Sequence, residues 1–121
     1  MVLVDTNVIL DVVTGDPRWS DWSRRQLVHW LDTGRVVINA IIYGEIGFAC
    51  ERIESLDALL PSHLYDYRAI PREAAFLAAR AHAAYRERGG SRQMILPDFL
   101  IGAHALVENL APVSYTHLRA H

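Results

Sequence analysis

The stretch VLVDTNV, residues 2–8, sets the reading of the whole chain. Val2-Leu3-Val4 is a short apolar, β-branched run and predicts a buried strand. It ends on the carboxylate of Asp5. An isolated buried charge is expensive, so Asp5 needs a partner. Thr6 and Asn7 follow, and then Val8, Ile9, Val12 and Val13 recur at helical spacing, which predicts a helix over 6–13. A second run of this kind lies further on. Val36-Val37-Ile38 is a second β-branched run, and Asn39 ends it as a cap for a helix from Ala40 to about Ala49. Short buried strands alternating with helices predict an α/β fold with a parallel sheet covered by helices.

The remaining elements fit that frame. Gly15-Asp16-Pro17 is a turn, and Ser20 opens a helix that Gly34 closes, with Trp22, Leu27, Trp30 and Leu31 facing inward. Ile53 to Leu60 is a helix stopped by Pro61. Leu64 to Tyr67 is a third strand. Pro71 is the first residue of a long helix through Ala74 to Arg88, ended by Gly89-Gly90. Pro97 opens a last helix to about Asn109, and Val113 begins a last strand.

The chain has 121 residues, about half of them hydrophobic, which suits a single globular domain. No apolar run is long enough to span a bilayer, and no secretory leader pattern is present, so a cytoplasmic protein is expected. A single cysteine excludes an intrachain disulfide and a cysteine zinc cluster. Cys50 lies among Phe48, Ala49 and Ile53 and reads as a small core residue. The net charge of −2 gives no global signal for nucleic-acid binding. All basic residues are arginines, to which we attach little weight.

Three carboxylates stand out. Asp5 lies at the carboxyl end of a strand, where open parallel α/β sheets bind ligands. It can equally be a helix cap. Glu45 shares a helical face with Ile41, Ile42, Ile46 and Ala49. A carboxylate in that apolar arc must be paired with an arginine, neutralised or bound to a cation. Asp98 sits in the first turn of the last helix, where the helix dipole favours it. That helix is apolar nearly all round, which predicts burial and holds Asp98 near the edge of the core. Oxygen ligands of this kind suit Mg²⁺ or Mn²⁺. Such a site supports metal-assisted phosphodiester hydrolysis.

The segments VLVDTNVIL, NAIIYGEIGFA and ILPDFLIGAHALVENL, in this order and spacing, resemble the PIN-domain ribonucleases, and among them the VapC-type toxins of type II toxin–antitoxin pairs. The likeness covers residues 1 to about 110. It implies a three-layer PIN-like α/β fold, with a short parallel sheet flanked by helices. It also implies a Mg²⁺-dependent endoribonuclease, restrained by a VapB-type antitoxin and commonly homodimeric. Asp5, Glu45 and Asp98 match the family's metal-binding acids. Asn7 matches a polar residue beside the metal. The sequence departs from the family after the last helix. Ser114-Tyr115-Thr116 stands where a Thr-Arg-Asp-like motif with a fourth acid is usual, and no Asp or Glu follows Glu108. We therefore read residues 1–113 as the PIN domain with an incomplete last strand, and 114–121 as an atypical tail. The alternative to a ribonuclease is an impaired toxin that only binds antitoxin or dimerises.

The other candidates carry less. Of six histidines, His29, His82 and His104 read as surface or packed residues, and His117 and His121 fall in the atypical tail. Arg86, Arg88 and Arg92 flank a glycine loop and suit either RNA phosphates or a solvated helix end. Trp19, Trp22 and Trp30 suit core or partner packing, with an aromatic groove between the first two helices fitting an antitoxin segment. An aspartate-nucleophile phosphatase would need a second aspartate at position 7, where Asn7 stands.

Overall fold

The computed structural model describes residues 1–90 and 94–113. The elements run β1 (Val2–Val4), α1 (Thr6–Thr14), α2 (Ser20–Asp32), β2 (Val36–Ile38), α3 (Ala40–Gly47), α4 (Ile53–Leu59), β3 (Tyr65–Tyr67), α5 (Arg72–Glu87), α6 (Leu96–Val107) and β4 (Ala111–Val113). The strands form one sheet in the order β3-β2-β1-β4, and every pairing is parallel. All six residues of β1 and β2 are buried. This is why they are short, apolar and unalternating: each strand has helices on both faces.

The core joins those strands to Val8 and Ile9 of α1, Leu27 of α2, Ile42 and Ile46 of α3, and Ile101 and Ala105 of α6. Trp19, Trp22 and Trp30 pack against it, as does Cys50. A second small cluster, Ala74, Ala78 and Ala103, seats α5 on α6. Small side chains there let the two helices approach closely. Asp11 of α1 is also buried, and Ser23 of α2 donates to its Oδ2 at 3.0 Å, so a polar bond ties the first two helices together.

Several boundaries differ from the sequence reading. Helix α3 stops at Gly47 instead of Ala49, and Pro71 is the residue before α5 instead of its first. Helix α6 begins at Leu96, one residue before Pro97, and ends at Val107, two before Asn109. The stop has a clear cause, because Asn109 takes a left-handed φ of 56°, a helix-ending conformation that asparagine tolerates. Nor is α6 buried all round: Leu106 is 72% exposed. Strand β4 starts at Ala111, two residues earlier than expected, and pairs with β1 along its whole length. Pro112 is accommodated because β4 is the outermost of the described strands. Residues 114–121, read above as an atypical tail, lie outside the described residues, as does Arg92. No helix among the described residues is long and apolar enough to cross a membrane.

Candidate metal centre at the carboxyl edge of the sheet

Strand β1 ends in the middle of the sheet, so Asp5 emerges between β2 and β4. Its backbone N–H donates to Val113 O at 3.0 Å, which fixes the strand end against β4. Asp5 then turns the chain into α1 as its N-cap, with Oδ1 accepting from Asn7 N at 3.4 Å. The capping role is therefore real. It also fixes the half-buried carboxylate at the carboxyl edge of the sheet.

The next residue, Thr6, is only 4% exposed. Its hydroxyl donates to Glu45 Oε1 at 2.7 Å, across 39 residues of sequence. This bond clamps α3 onto α1 and draws Glu45 to the residue beside Asp5. Glu45 is half-buried, and no arginine pairs with it among the described residues. Its second oxygen is bonded by no described residue, so it remains available as a ligand.

Asp98 has a different setting. It is exposed rather than held at the core's edge, and its Oδ2 accepts the N–H of Ile95 at 2.9 Å, closing the entry to α6. Among the described residues no three carboxylates, imidazoles or thiols stand together as a ready metal cluster. The structure thus joins Asp5 and Glu45 through Thr6 and places Asp98 as a cap on its own helix. In donor chemistry the pair fits Mg²⁺, which takes oxygen ligands, commonly from one or two carboxylates with water completing the shell.

Two features escaped the sequence reading. Thr6 is an ordinary residue to open a helix, and nothing local in the sequence tells its hydroxyl's target. The second is a buried polar ring. Asn39 and His104, both fully buried, meet at 2.9 Å between Nδ2 and Nδ1. His104 Nε2 also contacts Glu108, whose other oxygen accepts from Arg68 at 3.2 Å. The available signal was the His104/Glu108 spacing, i to i+4 on one helix face.

A separate cleft of about 1050 Å³ lies along β3, lined by Tyr43, Asp57, His63, Tyr65 and Tyr67 among others. It contains none of Asp5, Glu45 or Asp98. In it the Tyr43 hydroxyl donates to Asp57 at 2.6 Å, and that bond pushes the Tyr43 pKa up to about 12.

The PIN domain family model matches residues 2–115. The chain belongs to the PIN domain family. No curated protein matches it. The chain shares its fold with solved structures, among them these three. VapBC2 from Rickettsia felis, bound to a DNA fragment from its promoter, matches at 17% identity and a TM-score of 0.73, over 99% of this chain and 92% of that one. A toxin–antitoxin complex from Klebsiella pneumoniae matches at 18% identity and a TM-score of 0.71, over 96% and 87%. FitAcB from Neisseria gonorrhoeae matches at 20% identity and a TM-score of 0.64, over 95% and 87%.

Other side chains of this PIN domain settle into plainer roles. Trp19 and Trp22 meet edge to face at 6.5 Å while packing on the core, and Arg18 lies 5.5 Å over the Trp19 ring. His29 contacts Trp30, and His82 contacts Phe99. Arg86 and Arg88 are exposed at the end of α5.

Proposed function

We propose that this PIN domain is the toxin of a toxin–antitoxin pair and hydrolyses RNA phosphodiester bonds at the Asp5–Glu45 edge. One observation carries the reading: the Thr6–Glu45 bond brings a half-buried carboxylate to the residue that follows the strand-end Asp5, in a family-matched sheet. Asp5, Glu45 and Asp98 would hold Mg²⁺, or Mn²⁺ in its place. The ion would supply charge stabilisation to the phosphate and acidity to a bound water. Asp5, fixed by its cap and by Val113, gives the site a rigid wall. Glu45 offers its second oxygen to a ligand while Thr6 holds the first.

Of the solved structures with this fold, one is a toxin–antitoxin complex and another is VapBC2, and this supports a VapB-type antitoxin as partner. A homodimer and a cytoplasmic setting belong to the same proposal. The test is cleavage of a labelled RNA by the purified chain with Mg²⁺. Asp5→Asn should abolish cleavage while leaving the thermal transition in place, and EDTA should stop the parent. Cleavage surviving either change refutes the mechanism. A parent that binds its antitoxin but never cleaves RNA supports the impaired-toxin reading instead. Ser114-Tyr115-Thr116, at the place where the resemblance implies a Thr-Arg-Asp-like motif, is the observation that favours it.

A further inference from the structure

The buried ring around His104 closes on itself. Asn39 Oδ1 accepts from Ile41 N at 3.0 Å and Ile42 N at 3.1 Å, capping α3. That double bond settles the amide orientation, since the reversed amide would set its NH₂ against two N–H donors. Nδ2 is therefore a donor, and His104 Nδ1, at 2.9 Å, must accept. The ring proton then sits on Nε2, facing Glu108. Glu108 passes the link to the Arg68 guanidinium, and Arg68 N–H returns it to Ile38 O at 2.9 Å. Ile38 immediately precedes Asn39.

Glu108 stands at the C-cap of α6, where the helix dipole disfavours a carboxylate. Its placement there makes sense through its partners, His104 and Arg68. Arg68 is also bonded to Asp66 at 2.8 Å, which with Glu108 holds the guanidinium pKa above its ordinary value.

We propose that His104 is a positioning residue for the Asp5–Glu45 site, acting through Asn39. Helix α3 has only eight residues, with the Asn39 cap at its start and the Thr6–Glu45 clamp near its end. His104, on α6, holds the Asn39 amide in the rotamer that caps α3. Through it the helix bearing Asp98 sets the position of the helix bearing Glu45. This inference rests on the metal site of the proposed function.

Two substitutions cut the ring on opposite sides. His104→Asn keeps an acceptor near the place of Nδ1 and loses the donor to Glu108. His104→Gln keeps a donor near the place of Nε2 and loses the acceptor for Asn39. Both remove the imidazole and should lose stability alike. Binding of Mn²⁺ to the full chain, followed by calorimetry, should separate them. His104→Gln should weaken Mn²⁺ about tenfold or more, in the range known for outer-shell partners, and His104→Asn much less. Glu108→Gln, at a partly exposed position, keeps the Asn39 contact and should bind Mn²⁺ nearly as the parent does. If the His104 variants fail to fold, the ring tautomer of the parent still tests the inference. In the parent, the ¹⁵N spectrum should show the His104 proton on Nε2. Equal Mn²⁺ loss in His104→Asn and His104→Gln, no loss in either, a Glu108→Gln loss as large as that of His104→Gln, or a proton on Nδ1 overturns the inference alone. A parent that binds no Mn²⁺ overturns the metal site, and the positioning role falls with it.

Discussion

Replacing Thr6 with valine keeps the side-chain shape and removes one hydroxyl. That hydroxyl is nearly inaccessible and donates at 2.7 Å to a carboxylate. A hydrogen bond to a charged group contributes about 1.5–3 kcal/mol. Glu45 is only half-buried, so water reaches the vacated oxygen and the lower end applies, about 1.5 kcal/mol. For 121 residues the unfolding entropy is roughly 0.25 kcal/mol/K, so the midpoint should fall by about 6 °C. The assay is calorimetry and urea unfolding of four proteins in EDTA: parent, Thr6→Val, Glu45→Ala and the double variant. EDTA keeps bound metal from adding to the difference. The two changes should couple by about 1 kcal/mol or more, because each removes the same bond. Single-variant losses that add to within about 0.5 kcal/mol mean that the clamp contributes nothing, and the placement of Glu45 then needs another cause.

Tyr43 gives a pH signature of the bond between α3 and α4. Its pKa is raised from 10.0 to about 12, first by the bond to Asp57, so that bond contributes fully below pH 10 and is lost as pH rises towards 12. Asp57→Asn should bring the Tyr43 midpoint, read from its ring ¹³C shift, back towards 10, and a parent Tyr43 that already titrates near 10 refutes the bond. Two glycines should respond in opposite directions. Gly15 has φ +68° and open space around a built Cβ, so Gly15→Ala costs only backbone strain, about 1 kcal/mol. Gly102 lies inside α6 with equally open space, so Gly102→Ala should stabilise by about 0.5–1 kcal/mol. Urea unfolding of both variants checks the signs.

The strands were legible because burial on both faces leaves a mark in the sequence. Val2-Leu3-Val4 and Val36-Val37-Ile38 carry no polar residue at all, and both become interior strands. The edges were harder. In β3 only Tyr65 is buried, so little apolar pattern announces it. In β4 only Val113 is buried, and Pro112 argues against a strand until its outer position removes the objection. Helix ends depended on single backbone conformations. The left-handed Asn109 stops α6, and its identity alone left the stop free to fall a residue or two either way.

The candidate site is legible only where a residue contradicts its own surroundings. Asp5 closes an apolar strand and Glu45 sits in an apolar helical arc, so each demands an explanation from sequence alone. Thr6 contradicts nothing: a threonine opening a helix is ordinary, and its role depends on a partner 39 residues away. Asn39 caps α3 as its sequence position predicts, but a cap uses only the amide oxygen. The nitrogen was left over, and a fully buried amide nitrogen must find an acceptor. It finds His104, 65 residues on. The donors and acceptors left over once a residue's local role is met point, from sequence alone, to a second partner. In this fold the unspent half of one cap ties the helix that carries Glu45 to the helix that carries Asp98.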